Sequence, residues 1–120
     1  MPDESTIDMQ AIAGLRELSP DSGNEFIREL IEIYLQDTPE RMRDLEAALS
    51  KGDLPAFTRA AHTIKGSSSN FGATKLTHLA HALELQGKAG NLTDAPAAYG
   101  TLKAEYNLVA GELTKIANGV

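Results

Sequence analysis

APAAYGTLKAEYNLVAGELTKI, residues 95–116, carries the clearest repeat in the chain. Ala95, Tyr99, Leu102, Tyr106, Val109, Leu113 and Ile116 fall at alternating steps of four and three. That spacing lines them along one side of an α-helix and matches the packing seam of a helix bundle.

Upstream, the chain reads as four more helices with short polar breaks. The first spans about 8–18, with Ile7, Ala11, Leu15 and Leu18 on one side, and Ser19-Pro20-Asp21 stops it. Ser22-Gly23-Asn24-Glu25 has the spacing of a capping box, which opens a second helix over about 22–50. Ile27, Ile31, Tyr34, Met42, Leu45 and Leu49 form its apolar stripe, and Pro39 inside it predicts a kink near Asp37-Thr38. Asp53 caps a third helix, about 53–70, with Pro55 in its first turn and Phe57, Ala61 and Ile64 facing inward. Asn70-Phe71-Gly72 reads as its C-terminal turn. A fourth helix, about 74–88, offers Leu76, Leu79, Ala80 and Leu83 before Gly87 to Gly90 break the pattern. The last helix covers about 93–117. Short connections between long helices favour antiparallel neighbours. The expected fold is therefore all-α: a single domain, 1–120, built as an antiparallel four-helix bundle with an additional short N-terminal helix.

Composition narrows the function. Hydrophobic residues are 42% and charged residues 23% of 120, ordinary values for one globular domain. The absence of cysteine excludes disulfides, iron–sulfur clusters and thiolate-bound zinc. The net charge of −6 and the lack of a basic stripe argue against nucleic acid and for a protein partner. No apolar run is long enough to span a bilayer and the acidic start lacks signal-peptide features, so the expected location is cytoplasmic and no membrane partner is expected. No Gly-x-x-x-x-Gly-Lys-Ser/Thr loop is present, so phosphate chemistry in this chain needs an outside donor.

The chemistry concentrates in AAHTIKGSSSNFG, residues 60–72. On a helix His62 shares a face with Thr58, Arg59, Lys65, Gly66 and Ser69, none of them large and apolar. The imidazole therefore belongs at the edge of the core stripe with part of its ring in solvent. A neutral imidazole has one free lone pair and can attack phosphorus. Lys65, one turn on, is placed to offset a phosphoryl charge. Gly66 costs roughly 1 kcal/mol relative to alanine inside a helix. Three reasons for it stand: clearance for a partner approaching His62, close packing against a neighbouring helix, or simple tolerance of the cost.

His62-x-x-Lys65-Gly66, the small residues Ser67 to Ser69, Gly72, and then Leu76, Leu79, Leu83 and Glu84 resemble the histidine-containing phosphotransfer (HPt) family pattern through two consecutive helices. The resemblance implies a phosphorelay intermediate of two-component signalling. His62 would be the phosphoacceptor, taking the group from an aspartate on a receiver domain and passing it to another. Lys65, Gly66, Ser69 and Glu84 would support the phosphoryl group and receiver docking. The implied partners are response-regulator receivers or a hybrid sensor histidine kinase. Mg²⁺ would be bound by the receiver and no cofactor by this chain, which would be a carrier and not a kinase.

Some family members carry glutamine where Glu84 stands. Glu84 either accepts a hydrogen bond from the His62 ring or is an ordinary solvated carboxylate. His78 and His81 form a His-x-x-His pair that suggests a metal only weakly, since no Glu-x-x-His accompanies it. His81, three residues before Glu84, is expected near the docking surface. Tyr34, Tyr99 and Tyr106 read as core with hydroxyls at the edge, and Asp37, Glu40, Asp44 and Glu46 as a solvated face. The alternatives to a phosphocarrier are a non-catalytic helical interaction module and, behind it, a metal-binding bundle. The initial Met and compact length suggest a free-standing protein, with a domain cut from a hybrid kinase as the open alternative, and a monomer is the default expectation.

Overall fold

A computed structural model describes residues 6–18, 21 and 23–119, and every regular element in them is helical. The helices are α1 (Met9–Glu17), α2 (Gly23–Lys51), α3 (Leu54–Ser69), α4 (Thr74–Ala89) and α5 (Ala95–Gly119). α2 packs on α3, α3 on α4, α4 on α5, and α5 back on α2, so the four long helices close into a bundle; α1 lies against α2.

The seam read from α5 forms one wall of the core. Ala95, Tyr99, Leu102, Tyr106, Val109 and Leu113 are buried, with Ile116 half-buried at the end. Ile27, Ile31, Tyr34, Met42 and Leu45 face them from α2. Pro39 lies inside one uninterrupted helix. The capping box expected at the start of α2 depends on Ser22, which lies outside the described residues.

The turns follow their residues. Gly52 adopts φ 68° between α2 and α3, and the Asp53 side chain then accepts from the Ala56 N–H at 3.2 Å, capping α3. Of the expected break at Gly87 to Gly90, Gly90 ends α4 and Gly87 lies inside the helix. The helix continues to Ala89 and ends at Gly90 with φ 73°. Gly87 is buried because α3 crosses there: a Cβ on it would collide with Thr58 Oγ1 and stand 3.0 Å from Phe57 Cδ1. The hairpin that carries the site is thus packed at backbone distance.

α1 differs from the expected stripe. Ile12 is its fully buried residue, Ala11 and Leu15 are half-buried, and Leu18 is 70% exposed. The helix is tethered to the α3–α4 corner, where the Asp8 N–H donates to the Gly72 carbonyl at 3.0 Å. Gly72 has φ 67°, and a Cβ there would lie 2.6 Å from Asp8 Cβ. Its glycine meets both a left-handed turn and a close approach.

Candidate functional site

α3 turns Phe57, Ala60, Ala61, Ile64 and Ser68 into the core. His62 falls one step outside that stripe and its side chain is 65% exposed. It is exposed but anchored. Nδ1 lies 2.8 Å from Oε2 of Glu84, which projects from α4 and is only 2% exposed.

Glu84 is the hub of the site. Oε2 also has Lys88 Nζ at 3.4 Å, while Oε1 has Lys65 Nζ at 2.7 Å and His81 Nδ1 at 3.6 Å. The Lys65 ammonium holds the Glu84 carboxyl well below its usual range, down to about 2, with help from His62 and Lys88 against the opposing effect of burial. At neutral pH the carboxylate is ionised and can only accept. Neutral His62 is therefore held with its proton on Nδ1, and Nε2 carries the free lone pair.

Glu84 is not the solvated carboxylate that was one of its two readings. For Gly66 the close-packing reading falls, while clearance and simple tolerance both remain. A Cβ there would meet nothing within 4 Å, so no neighbouring helix demands glycine at that position. Gly66 leaves open surface one turn from His62.

The other expected residues divide. Lys65 is half-buried and committed to Glu84, not free in solvent. Ser69 is exposed and its hydroxyl donates to the Gly66 carbonyl at 2.9 Å. Ser67 similarly donates to Thr63 at 2.8 Å. Ser68 turns inward, where its Oγ lies 2.8 Å from the Tyr34 hydroxyl. That hydroxyl is not at the core edge as expected. It is buried, and burial pushes its pKa up to about 12.

His81 borders the cluster, whereas His78 is exposed outside it. Among the described residues no three His, Cys, Asp or Glu side chains are arranged to hold a metal ion. The acidic face of α2 is solvated, with Arg41 lying 3.5–3.9 Å from Asp37, Glu40 and Asp44.

Two features escaped the sequence reading. Lys88 joins the site through Glu84; the signal was present as a glutamate four residues before a lysine, a spacing that pairs on a helix. An apolar groove of about 350 Å³ also opens between α1, α2 and the end of α3, lined by Leu15, Leu18, Phe26, Leu30, Ile33 and Phe71. Its exposed Leu18 and Ile33 come from different helices, so no single amphipathic pattern announced it.

The fold and site define a class: a helical bundle that presents one anchored, accessible imidazole. The chain belongs to the Hpt domain family, whose profile matches residues 29–112. It is similar to histidine-containing phosphotransfer protein 4 of Arabidopsis thaliana, 27% identical over 101 residues, 82% of this chain and 80% of that protein. The phosphorelay intermediate protein rdeA of Dictyostelium discoideum is 31% identical over 85 residues, 71% of this chain and 34% of its own length. The crystal structure of histidine-containing phosphotransfer protein B from Pseudomonas aeruginosa PAO1 superposes with a TM-score of 0.88 at 30% identity, covering 98% of this chain and 99% of the other. The function is phosphotransfer in two-component signalling, and proteins of this family are phosphocarriers and not kinases. No helix among the described residues is long and apolar enough to cross a membrane.

Proposed function

We propose that His62 is the phosphoacceptor and that Nε2 is its reacting atom. The observation that carries this is the 2.8 Å contact of Nδ1 with a buried, ionised Glu84 beside a ring that is otherwise exposed. The anchor fixes the tautomer and orientation of the ring, and the exposure gives a partner access. In the forward step the receiver aspartyl phosphate loses its phosphorus–oxygen bond as the bond to Nε2 forms. The aspartate leaves as a carboxylate and Nδ1 keeps its proton toward Glu84. The reverse step delivers the group to a second receiver.

Such transfer depends on positioning and charge neutralisation. Mg²⁺ bound by the receiver supplies part of that neutralisation, and this chain contributes cations around Glu84. Gly66 and Ser69 form small surface beside the imidazole, over which the receiver's active site closes. The groove beside α1 and α2 offers apolar contact for the same partner, a receiver domain of a response regulator or of a hybrid sensor kinase. The chain acts as a cytoplasmic, monomeric carrier without kinase activity of its own.

The test is transfer of ³²P from a panel of phosphorylated receiver domains to wild type and to His62→Gln. Acid-labile, alkali-stable label on wild type alone supports the assignment. Equal label on both proteins refutes it, and no label from any receiver favours a non-catalytic interaction module.

A further inference from the structure

We propose that Lys88, and not the motif lysine Lys65, neutralises the phosphoryl group on His62, while Lys65 serves as the standing counter-ion of Glu84. This rests on His62 being the acceptor. The two oxygens of Glu84 divide the site. Lys65 and His81 lie on Oε1, whereas His62 and Lys88 share Oε2, at 2.8 and 3.4 Å. Lys88 is therefore the lysine that shares a carboxylate oxygen with the imidazole.

The two lysines also differ in freedom. Lys65 is 26% exposed and makes the short contact, 2.7 Å, to a carboxylate that is itself 2% exposed. Moving it onto a phosphoryl group would strip a buried charge of its main partner, which is costly. Lys88 is 61% exposed and its contact at 3.4 Å is long. Glu84 keeps its 2.7 Å contact with Lys65 and its 2.8 Å contact with His62 when Lys88 moves, so Lys88 swings at a smaller cost than Lys65 would.

Charge counting agrees. Glu84 and Lys65 cancel, which leaves Lys88 and the exposed Arg59 as cations near the imidazole, and of these two Lys88 is the one held at the Glu84 carboxylate. Transfer brings a PO₃ unit of net charge −1: the ring becomes cationic and the phosphoryl oxygens carry −2. One further cation closes that balance, and Lys88 supplies it through a charge-assisted hydrogen bond to a phosphoryl oxygen.

The experiment is the equilibrium partition of ³²P between a receiver domain and wild type, Lys88→Gln, Lys88→Arg or Lys65→Gln. At concentrations where little complex persists, the partition reports the stability of the two phosphorylated forms and not how the receiver docks. Lys88→Gln is expected to shift it about fivefold toward the receiver, with Lys88→Arg restoring it. Ring-nitrogen NMR of unphosphorylated Lys88→Gln should keep the wild-type tautomer, whereas Lys65→Gln should disturb it. An unchanged partition in Lys88→Gln, or a fivefold shift in Lys65→Gln with its tautomer intact, overturns the proposal. Lack of label on wild type instead brings down the assignment of His62 itself.

Discussion

Gly66→Ala is predicted to make this protein more stable and a worse phosphocarrier. Gly66 lies in the interior of α3, where replacing glycine with alanine is worth about 1 kcal/mol through the lost freedom of the unfolded chain. The usual penalty for adding a methyl group does not arise, because an added Cβ meets no atom within 4 Å. For a domain of this size the gain corresponds to a melting temperature higher by roughly 3–5 °C. Function moves the other way. The methyl group enters the surface over which, on the proposed function, a receiver's active site closes, and a displacement near 1 Å can cost about a hundredfold in rate. Gly66→Ala should slow transfer on the order of tenfold, and Gly66→Leu further, with helicity intact. Thermal melts and single-turnover transfer from a phosphorylated receiver measure both quantities on one preparation. A stabilised variant that transfers at the wild-type rate would refute the clearance argument. A destabilised one would refute the packing description.

Folding lowers the pKa of Glu84 from an ordinary 4.5 to about 2, so this group adds stability above the upper value and loses it as pH falls through the lower. Glu84→Gln should therefore show a flatter decline in stability between about pH 4.5 and 2 than wild type; parallel acid limbs in chemical denaturation would contradict the pairing. Gly72→Ala places a side chain at φ 67° with its Cβ 2.6 Å from Asp8 Cβ, and should cost about 2 kcal/mol or more while α1 loosens first. Hydrogen exchange at the Asp8 and Ile12 amides reads this out, and unchanged protection there would show that α1 is not held through Gly72.

The bundle was legible because its evidence is periodic. The seam from Ala95 to Leu113 is buried position by position, and Asp53 caps the helix it was expected to cap. Where one helix end meets another element, the reading weakened. Gly87 and Gly90 read together as one break, because the separate reason for Gly87, the close approach of Thr58, lies 29 residues away in the chain. In α1, Ile12 faces inward and Leu18 outward, since a nine-residue helix is oriented by what it docks against more than by its own stripe.

The site divided along the same line. His62, Lys65 and Gly66 stand out as a local pattern at helical spacing. Glu84 is 22 residues from His62, and nothing local distinguishes a carboxylate that will be buried from one that will be solvated. Its burial follows from the tight α3–α4 crossing, and with it comes Lys88. Tyr34 likewise finds Ser68 34 residues on, a pairing that decides which of three consecutive serines turns inward.

On the proposed function, His62 accepts the phosphoryl group on Nε2 while Glu84 holds Nδ1. NMR of protein labelled with ¹⁵N in its histidines and phosphorylated by a receiver tests it most directly. The expected spectrum shows phosphorus coupled to Nε2 of His62, with Nδ1 protonated in both the free and phosphorylated forms. Phosphorus on Nδ1, or on any residue other than His62, would contradict it.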